Sequence, residues 1–264
     1  MRMVMGEKSV CNLGKRNVCW SCMNWGTGCV AAIIKGECQM EKIMLLSFDD
    51  GTVHDPKFVE LLNRYRIPCT FNLNTGLEQF VWQYGDRFVA RQNLRWAKKM
   101  DIYRGHEIAS HTLTHPYLTS LSEEGLLWEV GEDCRRLKEI FGVDELGFGV
   151  PFTCCGEREI NILKKSGYVK YIRLSETREG FSLPEDPFHI RINGLFNQPD
   201  IRERIDAFVR DDAPVSLFVL CGHSYEMEMD DQWGWMEDLL RYIRSYPQIT
   251  CMTTMEFVKR YYPG

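Results

Sequence analysis

The stretch Ile43-Met44-Leu45-Leu46-Ser47-Phe48-Asp49-Asp50-Gly51 decides the reading of this chain. From Ile43 to Phe48 only Ser47 is polar, the pattern of a short strand buried on both faces. Two carboxylates and a glycine follow at once, where such a strand ends and its loop begins. In parallel α/β proteins, open or closed into a barrel, that end of the strands carries the active site.

The same alternation continues outward from this stretch. Asp55-Pro56 is a helix start, an acidic cap with proline in the first turn, and Phe58, Leu61, Leu62 and Tyr65 give the helix its apolar face. Thr70–Asn74 predicts a strand, Arg91–Lys99 a helix and Glu107–Ser110 another strand. Ser120 or Ser122 caps a long helix whose buried stripe is Leu126, Val130, Cys134, Leu137 and Phe141. Further strands are expected at Leu146–Val150, Tyr168–Arg173, Val215–Cys221 and Ile249–Met252. Helices around Glu157–Lys165, Ile201–Arg210 and Trp233–Ser245 separate them, and no internal repeat is present. The class is therefore α/β with a parallel sheet, and about seven β/α units favour a barrel, complete or not.

A chain of 264 residues suits one large α/β domain or two small ones. Its net charge of −5, with acids and bases interspersed, excludes the basic stripe of a nucleic-acid binder. No run approaches the ~18 apolar residues of a membrane span, and Cys29–Ile34 is shorter than the ~7–15 of a signal-peptide core. The expected location is therefore the cytosol, with the eleven cysteines reduced. Residues 1–40 hold five of those cysteines, several glycines and no sustained period. Cys19-Trp20-Ser21-Cys22 is a C-x-x-C able to clasp zinc, but its partner spacings match no standard finger. This segment is expected to be an extension outside the core, disordered or preceding an initiator at Met40 or Met44. The barrel is expected over 41–264.

Two adjacent carboxylates crowd one another on a single metal, so one of Asp49 and Asp50 is expected to ligate and the other to serve as a base. Alone, Asp-Asp-Gly reads as an ordinary turn. His111-Thr112-Leu113-Thr114-His115 adds two imidazoles at i, i+4, which on a helical turn point the same way. Two imidazoles plus a carboxylate make an open divalent site. The pair follows the strand Glu107–Ser110, so it falls at the same end as the aspartates. His223 follows the apolar run Val215–Cys221 and suits a general acid, since imidazole titrates near neutrality. Trp233 and Tyr225 are candidates for stacking on a sugar, with Trp233 equally suited to anchoring its helix. His106 is a candidate for supporting the metal ligands, while His54 and His189 carry no assigned role.

These motifs resemble the polysaccharide deacetylases of the NodB-homology type, carbohydrate esterase family four, over roughly residues 42–262. Ser47–Gly51 is similar to that family's Thr/Ser-Phe-Asp-Asp-Gly, and His111–His115 to its His-(Ser/Thr)-x-x-His. The resemblance implies a distorted (β/α)7 barrel with Asp50, His111 and His115 as metal ligands, Asp49 as base and His223 as acid. It implies one divalent ion, zinc first, with cobalt, manganese or nickel able to use the same ligands, and an N-acetylated carbohydrate as substrate.

Two departures place the chain in a divergent branch. Gly149-Val150-Pro151-Phe152 stands where Arg-x-Pro-aromatic is usual, so the arginine that orients the base is absent. Phe152 N–H is expected to assist the oxyanion, and Arg173, at the predicted end of the fifth strand, to supply a guanidinium. Cys221-Gly222-His223 replaces Leu-x-His, which alters the acyl pocket. A non-catalytic carbohydrate-binding barrel, an amidohydrolase of a small acylated metabolite and an interaction protein built on a zinc-bound N-terminus are the alternatives.

Overall fold

The computed structural model describes residues 40–263. The expectations for residues 1–39, including the C-x-x-C and its zinc, lie outside the described residues.

The apolar run quoted above forms β1 (Glu41–Asp49). The chain continues through α1 (Asp55–Tyr65), β2 (Thr70–Leu73), a hairpin of β3 (Val81–Tyr84) and β4 (Arg87–Ala90), α2 (Leu94–Lys99) and β5 (Glu107–Ser110). Next come α3 (Glu123–Phe141), β6 (Phe148–Gly149), α4 (Glu157–Ser166), β7 (Ile172–Thr177), β8 (Ile190–Ile192) and β9 (Gly194–Leu195). α5 (Ile201–Arg210), β10 (Val215–His223), α6 (Ser224–Met229), α7 (Trp233–Arg244), β11 (Ile249–Met252) and α8 (Thr254–Tyr261) complete it.

The main sheet runs β8-β7-β6-β5-β2-β1-β10-β9, every pair parallel, with β11 also beside β1. Its two ends, β8 and β9, are joined through Asn193 alone, so the segment Ile190–Leu195 closes the sheet on itself. Asn193 seals that seam: its N–H donates to Val219 O at 2.8 Å, and Val219 N–H donates to its Oδ1 at 2.9 Å. This is the expected distorted α/β barrel.

Strand alternation explains where the acids go. Ile43 and Leu45 point into the barrel with Leu217, Val219 and Tyr171, while Met44, Leu46 and Phe48 point out against the helices. Continuing that period puts Ser47 and Asp49 inside, at the barrel's mouth. Each fully buried Leu or Phe of this strand contributes about 1.5–3 kcal/mol, so one strand face fixes the position of Asp49 with a large driving force. The stripe of α3 is buried as expected, and Ser122 is its cap, accepting from Gly125 N–H at 3.1 Å.

Several elements differ from expectation. The strand predicted at Tyr168–Arg173 starts at Ile172 and runs to Thr177, because Tyr171 still belongs to the turn and packs its ring over Gly147. Arg173 is thus near the start of its strand rather than at the end. The helix predicted from Arg91 starts at Leu94, with Asn93 as the cap that accepts from Trp96 N–H. Asp55 is the first helical residue rather than the cap. Its buried carboxylate accepts from Tyr103 Oη at 2.7 Å and Ser224 Oγ at 2.5 Å. The hairpin β3–β4, the seam strands and the helices α6 and α8 were not anticipated. All six cysteines among the described residues are unbridged, and no described helix is long and apolar enough to cross a membrane.

Candidate functional site: an Asp-His-His cluster beside an arginine-held carboxylate

Four strands, β1, β2, β7 and β10, and the loops after β1, β5 and β6 deliver side chains to the barrel mouth. Asp49 ends β1 opposite Asn72 of β2 and His223 of β10. Asn72 Nδ2 donates to Asp49 Oδ1 at 2.7 Å, and Arg173 Nη2 donates to the same oxygen. Arg173 is fully buried, and it also donates from Nε to Ser47 Oγ at 3.3 Å and from Nη1 to Ser175 Oγ at 2.7 Å. Gly149 makes room for this: a Cβ there would lie 2.6 Å from Arg173 Nη2 and from Asn72. The missing motif arginine is therefore matched by a guanidinium reaching the carboxylate from the neighbouring strand, through the space the glycine leaves.

Asp50 takes a left-handed backbone, φ 86°, which turns its side chain away from that of Asp49. Its Oδ1 lies 3.7 Å from His111 Nε2 and 3.5 Å from His115 Nε2. One ligand atom from each of the three residues falls within 4.8 Å of the others. The imidazoles do not converge on a helical turn. His111–His115 is a loop in which Thr112 (φ 68°) and His115 (φ 58°) are left-handed, and Thr112 Oγ1 accepts from His115 N–H at 2.9 Å. Gly149 O lies 2.7 Å from His111 Nδ1, so Nδ1 carries the proton and Nε2 keeps its lone pair toward Asp50.

The electrostatics agree with ligation. Burial lowers His111 well below the usual imidazole range, helped by His115, and burial lowers His115 as well. Both rings are neutral donors near neutrality. Burial alone raises a carboxyl, yet the Arg91 guanidinium and then His223 hold Asp50 below its ordinary value. Two donor atoms each ~2.1 Å from a shared ion at a tetrahedral angle stand ~3.4 Å apart, close to the separations seen here. Asp50 Oδ1 is buried and accepts no hydrogen bond, although Arg91 Nη1 lies 2.7 Å away, so its lone pairs remain for an ion. The residues therefore fit a divalent metal.

His223 ends β10 as the N-cap of α6 and meets Glu226 one turn on: its N–H donates to Glu226 Oε2 at 3.2 Å, and its Nδ1 lies 3.2 Å from the same oxygen. Burial alone would lower this imidazole, but Glu226, Asp50 and Asp49 push it up to about 9. Tyr225 lies against the His223 ring at 5.0 Å and meets Trp82 and Tyr84 edge-on at 5.3 and 5.4 Å. On the other side Phe152 stacks on Tyr117 at 4.2 Å and sits edge-on to His115 at 4.5 Å. Phe152 N–H has no protein acceptor among the described residues.

Two candidates are not brought to this cluster. Trp233 donates from its indole to Glu228 at 2.6 Å and carries Lys57 over its ring at 4.2 Å, which makes it a helix anchor. His106 lies before β5, at the opposite end of that strand from His111, and accepts from Cys69 N–H at 3.2 Å. Conversely, Asn72, Asn74, Arg91 and Glu226 were not singled out. Asn72 and Asn74 carried a signal, being amide side chains at alternate positions of the predicted strand Thr70–Asn74. Arg91 and Glu226 carried none, since charges in a helix start or a loop are ordinary on a surface.

A closed parallel barrel with an Asp-His-His cluster and an arginine-held carboxylate at its mouth has the frame of a hydrolase. Residues 36–171 match the family described as polysaccharide deacetylase. The chain is 29% identical over 159 residues to chitin deacetylase 1 of Cryptococcus neoformans var. grubii, covering 60% of this chain and 30% of that protein. It is 28% identical over 130 residues to the peptidoglycan-N-acetylglucosamine deacetylase of Bacillus cereus, covering 48% of this chain and 54% of that protein. The chain thus spans less than two thirds of either relative. The chitin deacetylase structure from Colletotrichum lindemuthianum shares the fold, with TM-score 0.56 and 20% identity over 83% of this chain and 88% of that one. This chain belongs to the polysaccharide deacetylase family.

Proposed function

We propose that the protein is a metal-dependent deacetylase that removes N-acetyl groups from an amino sugar within a polysaccharide or oligosaccharide. The observation that carries this reading is the approach of Asp50 Oδ1 and two imidazole Nε2 atoms to 3.5–3.7 Å, beside a second carboxylate that does not join them. The naming of relatives for chitin and peptidoglycan deacetylation supports the substrate class.

Asp50, His111 and His115 would hold a divalent ion, zinc first among those that accept two imidazoles and a carboxylate. When bound, that ion polarises the acetyl carbonyl and acidifies water. Asp49 takes the proton of the attacking water, with Arg173 and Asn72 fixing Oδ1 so that Oδ2, which accepts only the long Cys221 thiol contact, acts as the base. Phe152 N–H donates to the developing oxyanion, a contact worth about 3–4 kcal/mol when well placed. His223 then delivers a proton to the leaving amine, assistance of a kind that supplies ~10²–10⁴-fold. Phe152, Tyr117 and Tyr225 offer ring faces and edges on two sides of the cluster for pyranose C–H surfaces.

The test pairs metal analysis with acetate release from acetylated chitin and peptidoglycan fragments. Asp50→Ala and His115→Ala are expected to lose metal. Asp49→Asn is expected to keep metal and lose turnover by at least about 10²-fold. Near-normal turnover in Asp49→Asn sinks the base assignment, and sugar binding without acetate release sinks the enzyme reading.

A further inference from the structure

Arg91 stands against the metal-ligand carboxylate, and the chemistry above gives it no task. Its side chain is buried, its ring neighbour is Trp82 at 5.1 Å, and its backbone is pinned by Arg91 N–H to Phe80 O at 2.8 Å and by a bridge to Thr52. Nη1 has two N–H bonds. One goes to the Asp50 carbonyl and the other to Asn74 Oδ1 at 2.8 Å. Nη1 also lies 2.7 Å from Asp50 Oδ1, but no N–H is left for that oxygen, which accepts no hydrogen bond. The carboxylate oxygen therefore keeps its lone pairs free while a permanent positive charge sits in contact with it.

The same bonds build a frame. Asn74 Nδ2 donates to His111 O and, at 2.9 Å, to Thr112 O. Arg91 thus connects the Asp50 turn to the histidine loop through one intermediate residue. Charge is balanced pairwise across the mouth: Asp49 with Arg173, Asp50 with Arg91, and Glu226 with His223.

We propose that Arg91 is a positioning residue that sets the site's affinity for its divalent ion, making it an exchangeable site rather than a tightly retaining one. The inference rests on the metal reading above. A dication arriving here meets a carboxylate whose charge is already compensated, in surroundings of low dielectric where that compensation counts heavily. The frame preserves ligand geometry, so the weakening comes from charge and not from a displaced ligand. The ion left less neutralised by its ligands is the stronger Lewis acid.

The experiment is competition of the full chain with a chromophoric chelator for Zn²⁺ and for Co²⁺, with circular dichroism confirming the fold of each variant. Arg91→Gln removes the charge and keeps a donor, Arg91→Met removes both, and Arg91→Lys keeps the charge. Arg91→Gln is expected to bind at least about tenfold tighter than wild type, Arg91→Lys within about threefold of wild type, and Arg91→Met, which also loses the donors of the frame, less tightly than Arg91→Gln. Unchanged or weaker binding in folded Arg91→Gln overturns the proposal, as does equal tightening in Arg91→Lys. If neither wild type nor any variant binds more ion than Asp50→Ala, the metal reading itself has failed, and this inference with it.

Discussion

The two oxygens of Asp49 have different neighbours. Oδ1 accepts from Asn72 and Arg173, whereas Oδ2 has the Cys221 thiol at 3.8 Å. On the proposed mechanism, that asymmetry reserves one oxygen for a water proton while the other is held in place. His223 shows the complementary device, since a carboxylate held one turn away by the helix start keeps its imidazole charged. As a proton donor His223 is competent below its pKa and fails as pH rises through it. The alkaline limb of kcat should therefore lie above the ordinary imidazole range in wild type. Replacing the charge in Glu226→Gln should move that limb down by about one pH unit or more, because a nearby anion favours the imidazolium. A limb that stays in place would show that Glu226 only caps the helix.

At the scale of elements, the short β6 matters more than its two residues suggest. Gly149 supplies the carbonyl that fixes the His111 tautomer and the empty space that Arg173 and Asn72 fill. Gly149→Ala should therefore cost about 1–3 kcal/mol in a urea titration and displace Arg173, lowering kcat with little change in KM. Unaltered kcat in a folded variant would detach Arg173 from the chemistry. The elements legible in the sequence were those with a driving force of their own: β1 with its continuous apolar run, α3 with its cap and stripe, and the carboxylates at the end of β1. The hairpin β3–β4 was illegible because its outward face, including Phe88 at 69% exposure, mixes apolar and polar residues without a core to sort them. Convergence of the two histidines was read from spacing, yet it is achieved by left-handed residues at Thr112 and His115, which no helical period encodes. Arg91 was read as a helix residue because burial of a lone arginine depends on partners far away in sequence.

Across the whole molecule, two buried carboxyls stand apart from the mouth's ion pairs. Burial raises Asp55 to about 6 despite donors from Ser224 and Tyr103, and raises Asp133 to about 7 despite donors from Ser110 and Thr75. Unfolding frees both to their ordinary values near ~3.9. Between about pH 4 and pH 7 these two groups in the unfolded chain have released protons that the folded one still holds, so their contribution to stability falls as pH rises through that window. For Asp133 alone the loss is on the order of 4 kcal/mol, at about 1.4 kcal/mol per unit. Chemical denaturation of Asp133→Asn alongside wild type should show the variant gaining relative stability from pH 4 to pH 7; parallel curves would mean Asp133 is ionised throughout.

β1 is flanked by β10 along its full length, by β11 at its start and by β2 at its end, and the site's two aspartates sit at its tip. Its amides are expected to be among the last to exchange with solvent. Heat should abolish turnover and cooperative structure together, with hydrogen-exchange protection of Met44–Phe48 vanishing at the same temperature.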